Sequence, residues 1–251
     1  AGGGEAIEDI YGVEQAKGTR LPLMQIPTTA GTGSESTPVA IVTTGNEVKK
    51  GVVSARTLPD VAVLDAELTL GLPAHVTAAT GYDAMVHAIE AYTSTSANNN
   101  PLSQILARQA LRLLGGNLAT VVTEGSNLQA RSDMLLGAML AGMAFGNSPV
   151  AAAHALAYPV GGIFHVPHGV SIALMTPHVL AFNARHCAPA YAALAADIFP
   201  DLAGCKEASQ VDAFVTRMNS VRADIGLPTR LQDVGVTQAD LPRMAEQAML
   251  Q

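Results

Sequence analysis

The sequence predicts an α/β part over residues 1–72, followed by an all-α domain over residues 73–251. Before Leu70–Pro73, short segments rich in valine and leucine alternate with turns, whereas the helical periodicity beyond it is almost uninterrupted. Of the 251 residues, 49% are hydrophobic, enough to form a sizeable core. Only 4% are aromatic and tryptophan is absent, so we expect a core of closely approaching helices.

Three segments of the first part have the pattern of strands. The alternating apolar run LPLMQIP begins Leu21–Ser36, and Val39–Thr43 and Val61–Leu64 are further candidates. The first segment leads into TTAGTGSEST, which combines hydroxyl side chains with conformationally permissive glycines. Such a loop is suited to hydrogen-bonding phosphate and ribose oxygens, but an ordinary turn rich in serine and threonine has the same composition.

Turn and cap residues divide the second part into helices. Pro73 suits the first turn of one helix, and Asn100–Pro101 can cap the next, which we expect to run through Leu114. Ala181–Ile225 gives further helices. Glycines within LLGAMLAGMAFG indicate close packing of helix backbones, because glycine otherwise carries an entropy cost in a helix. These glycines are Gly137, Gly142 and Gly146.

Ala151–Val170 places histidines in an otherwise apolar segment that glycine and proline interrupt. His154 lies in an Ala/Leu run typical of a buried helix, and His168 follows two glycines and Pro167. One straight helix would separate the two histidines by roughly 21 Å, whereas each ligand of a metal ion lies about 2.1 Å from it. The chain must therefore turn back between them if both bind one ion.

Asp83 and His87 form a second pair upstream, at positions i and i+4 on one helix face. With His154 and His168 they would supply one carboxylate and three imidazoles, a set suited to Fe(II) or Zn(II) with positions open for water or substrate. Each half of this set also has a simpler interpretation. An Asp/His pair one helical turn apart is often a surface ion pair, and a histidine within an apolar segment is often a core residue whose ring nitrogens are hydrogen-bonded. All four together would be costly to bury without a metal ion.

Four stretches of the chain resemble signatures of the iron-containing (group III) alcohol dehydrogenase family. GYDAMVHAIEAY and HALAYPVGGIFHVPHG match its paired metal-site signatures, and IPTTAGTGSE at Ile26–Glu35 and PDVAVLDAELT at Pro59–Thr69 match upstream. The resemblance implies a nucleotide-binding α/β part, here an incomplete Rossmann-like domain, followed by an all-α metal-binding and catalytic domain. The metal ligands that it implies are Asp83, His87, His154 and His168.

The resemblance also implies a nicotinamide cofactor, NAD or NADP. Glycines at the N-terminus would cradle its pyrophosphate, although GGG is equally typical of a flexible terminus and Glu5 replaces a serine of the family. Hydroxyls of the TTAGTGSE loop and one lysine would contact the rest of the cofactor. The cofactor-binding candidates are Gly2, Gly3, Gly4, Thr28, Thr29, Thr32, Ser34 and Lys50.

Tyr158 departs from the family, which often has a second histidine one turn after the third ligand. It is the catalytic candidate, because its phenol would donate a hydrogen bond near the nicotinamide and substrate while titrating near pH 10. Filling core volume is the alternative role. Glu90 and His165 are candidates for groups that orient ligands or relay protons, again with a structural role as the alternative.

The reaction implied by the resemblance is hydride transfer between a primary or secondary alcohol and NAD(P)+, which gives an aldehyde or ketone. Two other functions stay open. A metal-dependent hydrolase would use the same ligands to activate water, but it leaves the TTAGTGSE loop without a role. We also expect the chain to be truncated at both ends relative to the family, which leaves open a non-catalytic member that binds metal or self-associates.

Charge and cysteine content restrict the partners. A net charge of −7 without a basic cluster argues against nucleic acid or an anionic membrane, and the longest apolar run, Met134–Phe145, is shorter than the ~20 residues that span a bilayer. Cys187 and Cys205 are typical of reduced thiols in a cytoplasmic protein, and no signal peptide is visible. We expect a small-molecule alcohol or aldehyde as substrate and a homo-oligomer, such as a homodimer.

Overall fold

The computed structural model describes residues 4–44 and 49–250, so the candidates Gly2 and Gly3 lie outside the described residues. Within these ranges, strands occur only before Pro73 and α-helices only after it. The helices are α1 (Ala74–Thr93), α2 (Pro101–Thr123), α3 (Leu128–Phe145), α4 (Ala152–Phe164), α5 (His168–Ile198), α6 (Glu207–Asp224) and α7 (Leu241–Ala248). None of these described helices has the combination of length and apolar character that crossing a membrane requires.

The strands form two small sheets. They are β1 (Gly12–Val13), β2 (Met24–Gln25), β3 (Val39–Thr43), β4 (Lys49–Val53) and β5 (Val61–Ala62). In one sheet β4 lies between β1, which is parallel to it, and β3, which is antiparallel; in the other, β2 and β5 pair in parallel. The described residues therefore contain α/β structure but not a full Rossmann sheet.

The expected strand at Val39–Thr43 is confirmed, whereas the expected strands at 21–27 and Val61–Leu64 are reduced to two residues each. LPLMQIP contains Pro22 and Pro27, which have no backbone N–H to donate to a ladder. Only the residues between them pair, and β5 ends where its partner β2 ends.

Helix α1 is the centre of the helical part. Of its 20 residues, 14 are buried, because α2, α3 and α5 pack around it. Several alanines on α1 have no exposed surface, which allows neighbouring helices to approach closely; examples are Ala78, Ala84 and Ala88. The expected core of closely packed helices is confirmed, and it surrounds the helix that carries the first two candidate ligands.

Helix α2 begins as expected and ends later than expected. The Asn100 side chain accepts hydrogen bonds from the backbone amides of Leu102 (2.9 Å) and Ser103 (3.2 Å). The helix does not stop at Leu114 but continues to Thr123. Gly115, in the glycine pair that follows Leu114, makes room for a neighbour here, since a Cβ there would lie 2.9 Å from Ile198 on α5.

The helices expected within Ala181–Ile225 are the second half of α5 and α6. Helix α5 is divided at Cys187, whose φ of −109° and ψ of 16° are not helical. The break lies two residues before Pro189, which cannot donate its backbone N–H to the preceding turn. The second half of α5 is thereby free to change direction and pack with α6.

A close approach between Gly33 and Gly142 fixes the hydroxyl-rich loop against α3. Gly33 has a φ of 59°, and a Cβ there would lie 2.6 Å from Gly142 Cα, while a Cβ on Gly142 would lie 2.5 Å from the Gly33 oxygen. The Ser36 hydroxyl oxygen lies 2.9 Å from the carbonyl oxygens of Gly33 and Met139. Close packing at Gly142 is therefore confirmed, but the neighbour is this loop rather than another helix.

Candidate metal centre and adjoining cleft

Helix α1 contributes Asp83 and His87 to one buried cluster. One turn separates them, and His87 Nε2 lies 3.8 Å from Asp83 Oδ1. Only 3% of Asp83 and 6% of His87 is exposed, so the pair is not the surface ion pair that its spacing alone also allows.

A chain reversal between α4 and α5 brings two more histidines to this carboxylate. Helix α4 ends at Phe164, His165 takes a left-handed φ of 55°, and Pro167 precedes the first turn of α5. His154 Nε2 consequently lies 3.6 Å from Asp83 Oδ1, and His168 Nε2 lies 3.9 Å from Asp83 Oδ2. The expected turn-back is confirmed.

Gly169 allows the start of α5 to lie directly on α1. A Cβ at this position would overlap with the carbonyl group of Ala79, so any other residue would push the two helices apart. Ala79 is one turn before Asp83 on α1, and Gly169 is next to His168. This contact therefore sets the distance between His168 and the Asp83 carboxylate.

Glu90 holds the N-terminal end of α4. Its carboxylate accepts hydrogen bonds from the amides of Ala151 (2.9 Å) and Ala153 (2.7 Å), and its Oε2 lies 2.6 Å from His154 Nδ1. Glu90 and His154 are both buried. The sequence-based candidate Glu90 thus contacts a predicted ligand, whereas the other candidate of this kind, His165, is exposed at the end of α4.

Burial and mutual charge shift the pKa values of the cluster in different directions. Burial is the largest effect on His87 and lowers its pKa to about 4. Burial alone would raise the pKa of Asp83, but the adjacent histidines, His87 above all, outweigh it and hold that pKa below its usual range. For His154, burial opposes the charged form, yet Asp83 and Glu90 raise its pKa to about 9. The cluster favours an ionised carboxylate with positive charge beside it.

The polar atoms of the cluster fit a bound cation. Within the described residues, three buried side-chain atoms here have no hydrogen-bond partner, namely Asp83 Oδ1, His87 Nδ1 and His154 Nε2. Unpaired buried polar atoms are costly. Asp83, His87 and His154 each offer a ligand atom within 4.8 Å of the others. One carboxylate oxygen with imidazole nitrogens is a donor set suited to divalent zinc or iron.

A cleft of about 960 Å³ opens from this cluster toward the strands, a volume in the range of ligand pockets. Asp83, His87, His154 and His168 all line it, as do Thr32 and Ser34 of the hydroxyl-rich loop. Tyr158 also lines the cleft, and its ring stacks with that of His168 at a centroid distance of 6.2 Å. The structure thus brings the four predicted ligands, the catalytic candidate and two cofactor candidates to one cavity.

The other cofactor candidates that the structure describes do not line this cleft. Thr28 is exposed and Thr29 half-buried at the end of the segment after β2. The Lys50 ammonium group lies 5.0 Å from the centre of the Tyr11 ring, a cation–π arrangement. Gly4 is exposed, with a φ of 70°.

Two features of the cleft were not predicted from the sequence. Phe145 lies against His87, with ring centroids 4.6 Å apart, and lines the cleft. Arg20 and Arg56 line it as well, and Arg20 is paired with Asp60. The position of Phe145 at the end of an apolar helix could have indicated its role in the sequence. The two arginines are isolated in the sequence, and no pattern there indicates that they line the cleft.

Fold and site together define a helical part that carries a candidate metal centre and is preceded by short α/β elements. Two family profiles cover nearly the whole chain: "Iron-containing alcohol dehydrogenase" matches residues 2–66 and "Fe-containing alcohol dehydrogenase family, C-terminal" matches residues 77–251. The chain therefore belongs to the iron-containing alcohol dehydrogenase family, as its resemblance indicated.

Individual proteins agree with this assignment. The chain is 40% identical to 1,3-propanediol dehydrogenase of Klebsiella pneumoniae over 245 residues, which cover 96% of this chain and 63% of that protein. A crystal structure of 1,3-propanediol oxidoreductase matches with a TM-score of 0.93 and 38% identity over 99% of this chain and 64% of that one. The NAD+ complex of sulfoacetaldehyde reductase from Bifidobacterium kashiwanohense matches with a TM-score of 0.80 and 30% identity, covering 92% and 59%. The chain thus spans less than two thirds of the length of these relatives.

Proposed function

We propose that the protein is a metal-dependent oxidoreductase that transfers hydride between an alcohol and a nicotinamide cofactor, with an aldehyde or ketone as the oxidised product. The observation that carries the proposal is the buried cluster of Asp83, His87 and His154, with the half-buried His168 beside it, at the wall of a cleft. Hydroxyl groups line this cleft on the side of the strands. Relatives named propanediol dehydrogenase and oxidoreductase support this reaction class.

Asp83, His87, His154 and His168 would hold the ion, Fe(II) or Zn(II). When bound, such an ion supplies Lewis-acid polarisation of the substrate oxygen, which favours alkoxide over alcohol. Side chains of the protein provide the charge and the shielding around the ion. Asp83 supplies a negative charge at the centre of the three imidazoles, and Phe145 shields one face of His87 from water.

The cofactor would occupy the same cleft on the side of the α/β elements. Thr32 and Ser34 are supported by their position in its wall. Thr28, Thr29, Lys50 and the glycines at positions 2–4 remain candidates on the family resemblance alone. We favour NAD over NADP because a structural relative was solved with NAD+. In this proposal residues 1–72 form a partial dinucleotide-binding domain and residues 73–251 the helical metal-binding and catalytic domain.

Tyr158 would act on the substrate side of the cleft. Burial raises the pKa of its phenol above the ordinary value of 10, so the hydroxyl stays protonated near neutral pH. A protonated phenol next to His168 can donate a hydrogen bond to a substrate oxygen. The substrate would be a small alcohol or aldehyde, and the active protein a homo-oligomer such as a homodimer.

The test is a nicotinamide absorbance assay on protein reconstituted anaerobically with Fe(II) or, separately, Zn(II), using a series of primary and secondary alcohols with NAD+ and with NADP+. We expect metal-dependent reduction of the cofactor that His168→Ala abolishes. Hydrolysis of an ester without any change in nicotinamide absorbance would instead favour a metal-dependent hydrolase. Metal binding without turnover of either kind would favour a non-catalytic role.

Loop residues are tested separately from the ligands. The Thr32→Ala/Ser34→Ala double variant is expected to bind metal as the wild type does but to bind NAD+ more weakly. The Thr28→Ala/Thr29→Ala double variant is the matched comparison, because these residues belong to the same loop but do not line the described cleft. Unchanged cofactor titration in either variant would remove that pair from the proposed cofactor site.

A further inference from the structure

Glu90 is a buried carboxylate on the same face of α1 as the candidate ligands Asp83 and His87. It follows Asp83 by seven residues and His87 by three, so all three point from one face of the helix. Glu90 is only 5% exposed. Its side chain reaches across to α4 and takes part in three short polar contacts there, with Ala151, Ala153 and His154.

From this geometry we infer that Glu90 is a positioning residue that holds a proton on Nδ1 of His154 and so leaves Nε2 as the nitrogen that binds a metal ion beside Asp83; this inference rests on the proposed metal site. The two backbone amides can only donate, so both carboxylate oxygens of Glu90 act as acceptors. The His154 Nδ1 atom, 2.6 Å from Oε2, must then be the donor of the third hydrogen bond.

The consequence lies at the other nitrogen of the ring. In a neutral imidazole a proton on Nδ1 leaves Nε2 as the acceptor, and only a nitrogen without a proton can bind a metal ion. His154 Nε2 lies 3.6 Å from Asp83 Oδ1 and has no hydrogen-bond partner among the described residues. Glu90 therefore binds one side of the His154 ring, at Nδ1, while Nε2 on the other side faces the cluster as the ligand atom.

Capping of α4 alone does not account for this arrangement. A serine, threonine, asparagine or aspartate at position 151 would cap the helix locally, but the chain has Ala151 there, without a side-chain cap. The cap comes instead from α1, the helix that carries Asp83 and His87. One carboxylate thus ties the backbone of α4 and the ring of His154 to the helix of the other two ligands.

Glu90→Gln tests the inference, because glutamine keeps the shape but has one acceptor oxygen and a donor NH2 group. At least one amide or His154 Nδ1 then loses its acceptor. We expect Zn(II) affinity, measured by competition with a chromophoric chelator, to fall about 10- to 100-fold, as is typical when the partner of a metal-binding histidine is lost. In the Zn(II)-loaded wild type, 15N NMR of the histidines should show His154 with a proton on Nδ1 and zinc on Nε2.

Asn127→Ala is the matched control, because Asn127 caps α3 in a similar way by accepting from the Ala130 amide at 3.1 Å, away from the cluster. It should lower thermal stability without changing Zn(II) affinity. If Glu90→Gln behaves in the same way, Glu90 is only a helix cap and the inference is wrong.

Two further outcomes keep the inference separate from the proposed function. If Glu90→Gln does not fold, the spectra of the Zn(II)-loaded wild type decide, since a proton on Nε2 of His154 or zinc on Nδ1 in that state would overturn the inference. If the wild type binds no Zn(II), the proposed metal site fails; the spectra of the metal-free protein then still test Glu90, because a His154 Nδ1 without a proton would contradict its role.

Discussion

The imidazole rings of His87 and His154 stack on each other with centroids 4.6 Å apart, although one belongs to α1 and the other to α4. Burial keeps the pKa of His87 near 4, so this ring is neutral beside the more basic His154 and two stacked positive charges are avoided. Both rings have Nε2 within 4 Å of the same Asp83 oxygen. The packing of the protein therefore holds these side chains close to the arrangement that binding of one metal ion requires.

Asp83→Ala should abolish metal binding, because it removes the group that all three histidines face. Elemental analysis after reconstitution with Zn(II) should give one equivalent for the wild type and none for the variant. Zn(II) at about 100 times its dissociation constant should raise the free energy of unfolding of the wild type by about 2.7 kcal/mol and leave that of the variant unchanged.

Asp197→Asn is the control for this prediction. Asp197 is also a largely buried aspartate, but it pairs with Arg108 and Arg112 between α2 and α5, outside the cluster. The variant should be less stable and still bind one equivalent of Zn(II). A full equivalent in Asp83→Ala at wild-type affinity would show that the four-residue assignment is wrong.

Gly142→Ala should destabilise the protein, because the new Cβ would lie 2.5 Å from the Gly33 oxygen and from Ser36 Oγ. Overpacking of this kind typically costs about 1–3 kcal/mol. Gly116→Ala in the middle of α2 is the matched control, because nothing lies within 4 Å of its Cβ, and it should stabilise by roughly 0.5–1 kcal/mol.

Both glycine variants are compared with the wild type by chemical denaturation. Since Gly142 seats the loop that carries Thr32 and Ser34, its variant should also bind NAD+ more weakly, while Gly116→Ala should not. If the two variants have equal free energies of unfolding, the loop and α3 can move apart to accept the new Cβ without loss of stability, and the prediction is wrong.

The sequence was sufficient for features that depend on local spacing. Asp83 and His87 share a helix face because of the helical repeat, and Asn100 caps α2 because its side chain reaches amides two and three residues ahead. Contacts between distant segments were not predictable in this way. The bonds of Glu90 to Ala151 and Ala153 join residues more than sixty positions apart, and no local pattern selects Thr32 and Ser34 over Thr28 and Thr29 as residues of the cleft wall.

The ion pair of Arg20 with Asp60 should make stability depend on pH in the acid range. Arg20 and the Leu23 amide hydrogen-bond to the Asp60 carboxylate and lower its pKa from 3.8 to about 2. A lowered pKa in the folded state stabilises the protein above pH 3.8, and this contribution is lost as the pH falls through about 2.

Asp60→Asn and Arg20→Gln should each flatten this dependence. Chemical denaturation at a series of pH values across that interval measures the effect as a smaller slope of unfolding free energy against pH. The same slope in wild type and both variants would show that the pair does not contribute to the acid sensitivity.

Tyr158→Phe should preserve folding and metal content but lower kcat, because it removes only the hydroxyl while the ring keeps its stack with His168. Burial raises the pKa of the phenol, so the wild-type hydroxyl should remain a donor across the neutral range and add no inflection there to the pH–rate profile. Tyr158→His replaces this donor with an imidazole whose ordinary pKa is about 6.5, and it should shift the profile toward neutrality. Rates measured by nicotinamide absorbance over a range of pH, with metal content determined in parallel, separate these effects. A phenylalanine variant with the wild-type rate and profile would assign Tyr158 to packing against His168, without a part in the reaction.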